Sequence, residues 1–145
     1  MIDGVIEDEE NLKTSDNFQE ALNVLSGISF TLKFMSKLNR KNPIDYNTMP
    51  MEALWQANTD GDLNNRGGWA WTLMAMQPEH ITQEMVDNAL ESLRKKQGEV
   101  PMINLIRYGH FSEGSAIQIM HVGSQELAPM TLDRMKDYAE YKKYE

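Results

Sequence analysis

The chain contains no cysteine. That excludes a disulfide framework, a thiol nucleophile and any zinc site built on thiolates. Basic residues are outnumbered, 14 Lys and Arg against 22 Asp and Glu, for a net charge of −8. Nucleic acid and anionic membrane surfaces call for clustered positive charge, so neither is an expected partner. No apolar run approaches the ~20 residues that span a bilayer. The start, Met1 to Glu10, has an acidic run from Glu7 and no basic segment ahead of an apolar one, so it does not read as a secretory signal. The sequence also lacks a Gly-rich phosphate loop and a Gly-x-Ser-x-Gly nucleophile elbow. What is present is 145 residues with 41% hydrophobic content, enough to pack one domain or two half-sized repeats around a core. The expectation is a cytoplasmic, acidic α+β protein without a cofactor.

Periodicity divides the chain into recognisable elements. Met1, Ile2, Val5 and Ile6 form a short strand, followed by an acidic loop. Thr14, Ser15 and Asp16 offer oxygen caps for a helix running to about Leu38. Phe18, Leu22, Leu25, Ile28 or Ser29, Leu32 and Met35 recur at three- and four-residue steps and make its buried stripe. Pro43 cannot continue that helix. Ile44 to Gln56 reads as a strand interrupted by Pro50, which confines it to a sheet edge or a bulge. Asn58 to Gly68 is turn-rich and reads as a hairpin loop. A superficial calcium-loop pattern at Asn58 to Asp62 lacks the glutamate that would close it. Trp69 to Gln77 is the returning strand, with Trp69, Trp71, Leu73 and Ala75 on one face and Ala70, Thr72, Met74 and Met76 on the other. Both faces are largely apolar, which predicts cover on both sides. A second helix is capped by Thr82, stapled by Ile81 against Val86, buried through Met85, Ala89, Leu90 and Leu93, and ended near Gly98. The remaining expectations are extended backbone at Ile106 to Phe111, a strand from Ser115 to Val122, and a helix from Thr131 with Leu132, Met135, Tyr138 and Ala139 inward. Met120-His121-Val122-Gly123 before the last helix echoes Met1-Ile2-Asp3-Gly4 before the first, as an internal repeat would.

The three tryptophans, Trp55, Trp69 and Trp71, all fall in one predicted hairpin. Indole faces stack on flat ligands and hold cations, yet aromatics at strand spacing are more often core. Tyr46 could add a hydroxyl at the rim. Glu52, on the strand of Trp55, is the main carboxylate candidate, because a half-buried carboxylate attracts a lipophilic cation and burial raises its pKa. Glu113 beside Gly114 reads as an ordinary turn residue. His80, His110 and His121 do not form a metal signature, so no metal site is expected. His121 reads either as a hydrogen-bonding residue near a cleft or as a structural contact to a backbone carbonyl. Met120 belongs with Met49, Met51, Met74 and Met76 as a flexible thioether that lines an adaptable pocket or fills a core.

Several of these runs carry a family resemblance: Met49-Pro50-Met51-Glu52-Ala53-Leu54-Trp55, Trp69 through Pro78, Glu113 through Gly123, and Ser26 through Met35. Together they resemble the GyrI-like small-molecule-binding domains, closest to stand-alone members. The resemblance implies an SHS2/GyrI-like fold: antiparallel sheet with helices on one face, in tandem β-α-β-β modules with a ligand cleft between them. It implies one domain over 1–145, with module one at about 1–78, a connecting helix at about 82–97 and a partial module two at about 106–145. It moves Trp55 and one of Trp69 or Trp71 towards the cleft. Relatives begin some residues earlier and continue into two further strands, whose His-Glu-Ile-Tyr-like motif supplies a glutamate that no residue here matches; a second tryptophan often follows the first where Gln56 stands. The second module is therefore expected to be incomplete, and a homodimer or strand exchange is the expected compensation. Three functions follow as expectations. The first is binding of a hydrophobic or cationic small molecule by Trp55, Trp69, Trp71, Tyr46, Glu52, Met120 and His121. The second is a hydrolase that opens cyclopropane-containing genotoxins. The third is an interaction module acting through an open sheet edge.

Overall fold

The computed structural model describes residues 1–7, 15–56, 68–98 and 100–143. The acidic run beyond Glu7, Thr14 as a cap and most of the expected hairpin loop lie outside these residues. The chain divides into two compact units, Met1–Gly109 and His110–Glu145.

The first unit holds a three-stranded antiparallel sheet and two long helices. Strand β1 is Ile2–Val5, helix α1 Asp16–Lys37, β2 Met51–Gln56, β3 Ala70–Ala75 and helix α2 Gln83–Gln97. The strand order is β1-β3-β2, so β3 is central and β2 forms an edge. Pro50, which cannot donate to a ladder, stands immediately before β2 rather than inside a longer strand starting at Ile44.

Helix α1 begins where Ser15 accepts a hydrogen bond from the Phe18 amide, and ends at Leu38. Its buried residues, Phe18, Ala21, Val24, Leu25, Ile28, Ser29, Leu32 and Ser36, form one stripe against β1, β3 and α2. Each fully buried Leu or Ile contributes about 1.5–3 kcal/mol, so this stripe is the main tie between helix and sheet. Helix α2 is capped by Thr82, whose hydroxyl accepts from the Met85 amide, and closes at Gly98 with φ of 79°. Ile81 and Val86, buried on either side of the cap, both join the core. Beyond it, Pro101–Leu105 is a short 3-10 helix whose Met102 and Ile103 complete the interior.

Strand parity sorts the sheet. The register pairs Ile2 with Leu73, Gly4 and Trp55 with Trp71, and Ala53 with Leu73. These residues, with Met51 and Ala75, face α1. Asp3, Val5, Glu52, Leu54, Gln56, Ala70, Thr72 and Met74 take the other face. The expected two-sided cover of β3 is partial: Met74 is buried, Ala70 and Thr72 are half-buried, and Val5 beside them is exposed.

One strand expectation fails. Ile106 is extended, as expected, but Ser115 to Val122 is not a strand. A strand exists only when its backbone finds a ladder partner, and among the described residues Ser115 to Val122 has none, whereas Arg107 exchanges two backbone hydrogen bonds with Met1 at 2.8 Å. Tyr108 is fixed in addition by its hydroxyl, which donates to the Ile81 carbonyl at 2.6 Å.

In the second unit, a 3-10 turn at Gln125–Leu127 leads into helix α3, Ala128–Lys142, three residues earlier than expected. Pro129 lies in its first turn, where a missing amide hydrogen costs nothing. Leu132, Met135 and Ala139 are half-buried, Tyr138 is exposed, and α3 has no fully buried residue. With Ala116 to Ile119 it borders a shallow groove of about 470 Å³.

Candidate functional site

The hairpin tryptophans assemble where the α1 face of the sheet meets the helix's first turn. Phe18 sits between two of them, 5.5 Å from Trp55 and 5.2 Å from Trp71, edge-on to the latter. Trp55 and Trp69 lie 6.4 Å apart. These separations fall in the range where aromatic pairs attract beyond simple burial. Trp69 and Trp71 are sealed, at 5% and 2% exposure, whereas Trp55 on the edge strand is only half-buried. The two sealed rings are core. Trp55 alone brings indole surface from this cluster to solvent. The Trp71 Nε1–H is buried without a hydrogen-bond partner among the described residues. Trp71 also lies over Gly4, its cross-strand partner.

Glu52 does not join the aromatic cluster. It is three residues from Trp55 on the same strand, so the period of two sends it to the opposite face, where it is exposed. Spacing by strand parity, rather than membership of the same strand, was the signal for this. Glu113 is exposed in the second unit.

Tyr46 precedes β2 instead of lying on a strand, and it belongs to a different cluster. Its ring meets His80 at 5.5 Å, nearly perpendicular, and its hydroxyl donates to Gln77 Oε1 at 3.2 Å. Burial pushes the Tyr46 phenol above its ordinary pKa. Gln77 Nε2 donates to Ser29 Oγ at 3.4 Å and to the Ala75 carbonyl at 3.3 Å. Nearby, Ser36 Oγ donates to the Ile44 carbonyl at 2.7 Å and lies 2.9 Å from His80 Nε2. The serine has one hydrogen, and a carbonyl can only accept, so His80 Nε2 is the donor to Ser36. A buried serine whose proton is held by a carbonyl, facing a histidine that donates, is a structural tie and not an activated nucleophile. Sequence reading missed this network. Its signal was present: Ser29 and Ser36, seven residues apart, interrupt the otherwise apolar stripe of α1.

In the second unit, His121 Nε2 lies 2.9 Å from the Ser124 carbonyl, and Nδ1 lies 2.8 Å from Thr131 Oγ1. The carbonyl can only accept, so Nε2 donates to it, and Nδ1 pairs with the Thr131 hydroxyl. His121 thus pins the loop ahead of α3. Met120 beside it is 85% exposed. The candidate residues therefore fall into three groups, Trp55, Trp69 and Trp71 together, Tyr46 with His80, and His121 with Met120 in the second unit, with Glu52 apart from all of them. Among the described residues, no three His, Asp or Glu side chains gather to hold a metal ion, and no helix is long and apolar enough to cross a membrane.

No protein-family model matches the chain, and no curated protein matches it. Solved structures do. An uncharacterized conserved protein from Listeria innocua superposes with a TM-score of 0.82 at 27% identity, over 97% of this chain and 67% of that one. A hydrolase from the same organism gives 0.79 at 30% identity, over 97% of this chain and 67% of the hydrolase. A further Listeria innocua hydrolase gives 0.75 at 28%, over 97% of this chain and 69% of that one. The α+β fold is common to all three, and the 30% identity over two thirds of the first hydrolase's length places the chain in one family with it. The chain spans about two thirds of the length of each.

Proposed function

We propose that the protein binds a hydrophobic or cationic small molecule against Trp55, as a GyrI-like domain would. The observation that carries this reading is the asymmetry of the aromatic cluster. Phe18, Trp69 and Trp71 are locked in the interior, while Trp55 is held against Phe18 and left half-open on an edge strand. A ring fixed by packing stacks on a flat guest, or on a quaternary cation, with little loss of side-chain entropy. The acidic balance of the chain favours a cationic guest.

Titration of intrinsic fluorescence with a panel of lipophilic aromatic cations tests this. Saturable quenching is expected, lost in Trp55→Ala and retained in Glu52→Gln, since Glu52 lies on the other face. Quenching that survives Trp55→Ala, or none at all, would overturn the reading.

A second reading is hydrolysis, supported by the likeness to two hydrolases. Under the GyrI-like resemblance the substrate is a strained electrophile such as a cyclopropane, with a carboxylate directing water. Glu52 and the aromatic cluster occupy opposite sheet faces, so Glu52 does not stand beside Trp55. Turnover of an activated cyclopropane by the protein, abolished by Trp55→Ala, would favour this reading over simple binding.

A further inference from the structure

Helix α1 carries a second apolar surface, on the side away from the sheet. Phe30, Phe34 and Leu38 follow one another at four-residue steps and are 50%, 53% and 72% exposed. Side chains four apart stand in one row along a helix, so these three form a continuous ridge. The ridge does not stand alone. With Thr31 and Met35 of α1, and Ser92 and Lys96 of α2, it lines a groove of about 630 Å³. Exposed apolar residues scattered singly need no explanation, but three large ones in a row beside a groove mark a contact surface.

The charge around this groove is opposite to that of the whole protein. From Ala21 to Ile44 there is no acidic residue, and Lys33, Lys37, Arg40 and Lys41 supply four cations. Lys96 lines the groove from the other helix, next to Arg94 and Lys95 in the last turn of α2. The nearby acids pair with some of these cations, Asp45 with Lys37 at 2.7 Å and Lys33 at 4.0 Å, and Glu91 with Lys95 at 2.6 Å, so the positive excess is carried by Lys96, Arg40 and Lys41.

We propose that this groove docks an amphipathic, acidic helix of a partner protein. An apolar channel between two helices fits the apolar row of a third, anchored at three- and four-residue spacing, and the cationic rim pairs with acids flanking that row. Two other occupants fit less well. A second copy bound through the same face would bring each Lys96 rim against its twin, because a two-fold contact places a patch on itself. An anionic bilayer is an extended charged plane and is repelled by the net −8 of the chain, whereas a single helix reads only the charge within about 8 Å.

The test is fluorescence anisotropy of the full chain with three probes. These are a labelled helical peptide with leucines at i, i+3, i+4 and i+7 among glutamates, the same peptide with lysines for glutamates, and phosphatidylserine vesicles. The acidic peptide is expected to bind at least about tenfold more tightly than the basic one, and its affinity to fall with salt. Lys96→Glu and Phe34→Ser should each weaken it by about tenfold. Leu38→Ser, at the most exposed position, provides a second apolar test if Phe34→Ser lowers stability. Equal affinity for both peptides, indifference to all three substitutions, stronger binding to vesicles, or a dimer in sedimentation that Phe34→Ser dissociates would each overturn the proposal.

Discussion

Tyr46 shows how one side chain couples the interior to pH. Its ring packs against the core and the ring of His80, and its hydroxyl reaches Gln77. Burial disfavours the phenolate, so the folded-state pKa stands above the value of about 10 that the unfolded chain shows. The folded protein then binds this proton more tightly than the unfolded one. The associated stability is fully present below about pH 10 and is lost as pH rises through the higher folded value. Tyr46→Phe removes the hydroxyl and its hydrogen bond, at a cost of about 1 kcal/mol near neutrality. The gap between the two proteins should narrow above about pH 10. Urea unfolding midpoints of both proteins, measured from neutral to alkaline pH, check this. A gap that stays constant to the alkaline limit would refute the assignment.

At the scale of elements, the close approach of β1 to β3 rests on Gly4. A Cβ there would overlap the six-membered ring of Trp71, its cross-strand partner, and that ring is itself wedged edge-on against Phe18. Gly4→Ala is therefore expected to destabilise by about 2 kcal/mol or more, as overpacking in a filled core does. Trp71→Leu in the same chain should recover part of the loss, because it removes the obstructing ring. Denaturant melts of the two single variants and the double variant measure the coupling, and additive effects would show that the two residues do not compete for space. The elements read most easily from sequence are those specified by neighbours along the chain. Ser15 and Thr82 cap their helices, Gly98 closes α2, and the α1 stripe matches its buried face. Pro50 marks β2 as an edge. Strand parity also sorted Trp69, Trp71 and Leu73 correctly onto one face. What parity could not give is which face the helix covers, and so which indoles are core. The segment from Ser115 to Val122 has the alternation of a strand, but alternation specifies only side-chain facing. The ladder depends on a partner elsewhere, which no local pattern records. Tyr46, His80 and Gln77 likewise meet through the tertiary fold, and only the serines on α1 hinted at them.

For the whole molecule, burial is unevenly divided between the two units. Every residue of the hydrophobic core lies between Ile2 and Ile103. The segment after the 3-10 helix is tied back within the first unit by Arg107, whose amide donates to the Met1 carbonyl at 2.8 Å and whose guanidinium meets Asp3 at 2.5 Å, and by Tyr108 on Ile81. Asp3 also accepts from Thr72 at 2.6 Å, and these partners hold its carboxyl below the usual range, Thr72 foremost. Exposed as it is, this pairing adds little stability, but it fixes where the first unit ends. The second unit contributes a helix without a fully buried residue. Since cooperative unfolding follows the shared core, a chain shortened to residues 1–109 is expected to melt in one transition within about 5 °C of the full protein. It should also keep the Trp55-dependent quenching, because the aromatic cluster belongs wholly to that unit. A broad, low-amplitude melt of the shortened chain would mean that the second unit takes part in the core after all. A sharp melt with quenching lost would separate the two conclusions, leaving the division of stability intact while moving part of the binding surface into residues 110–145.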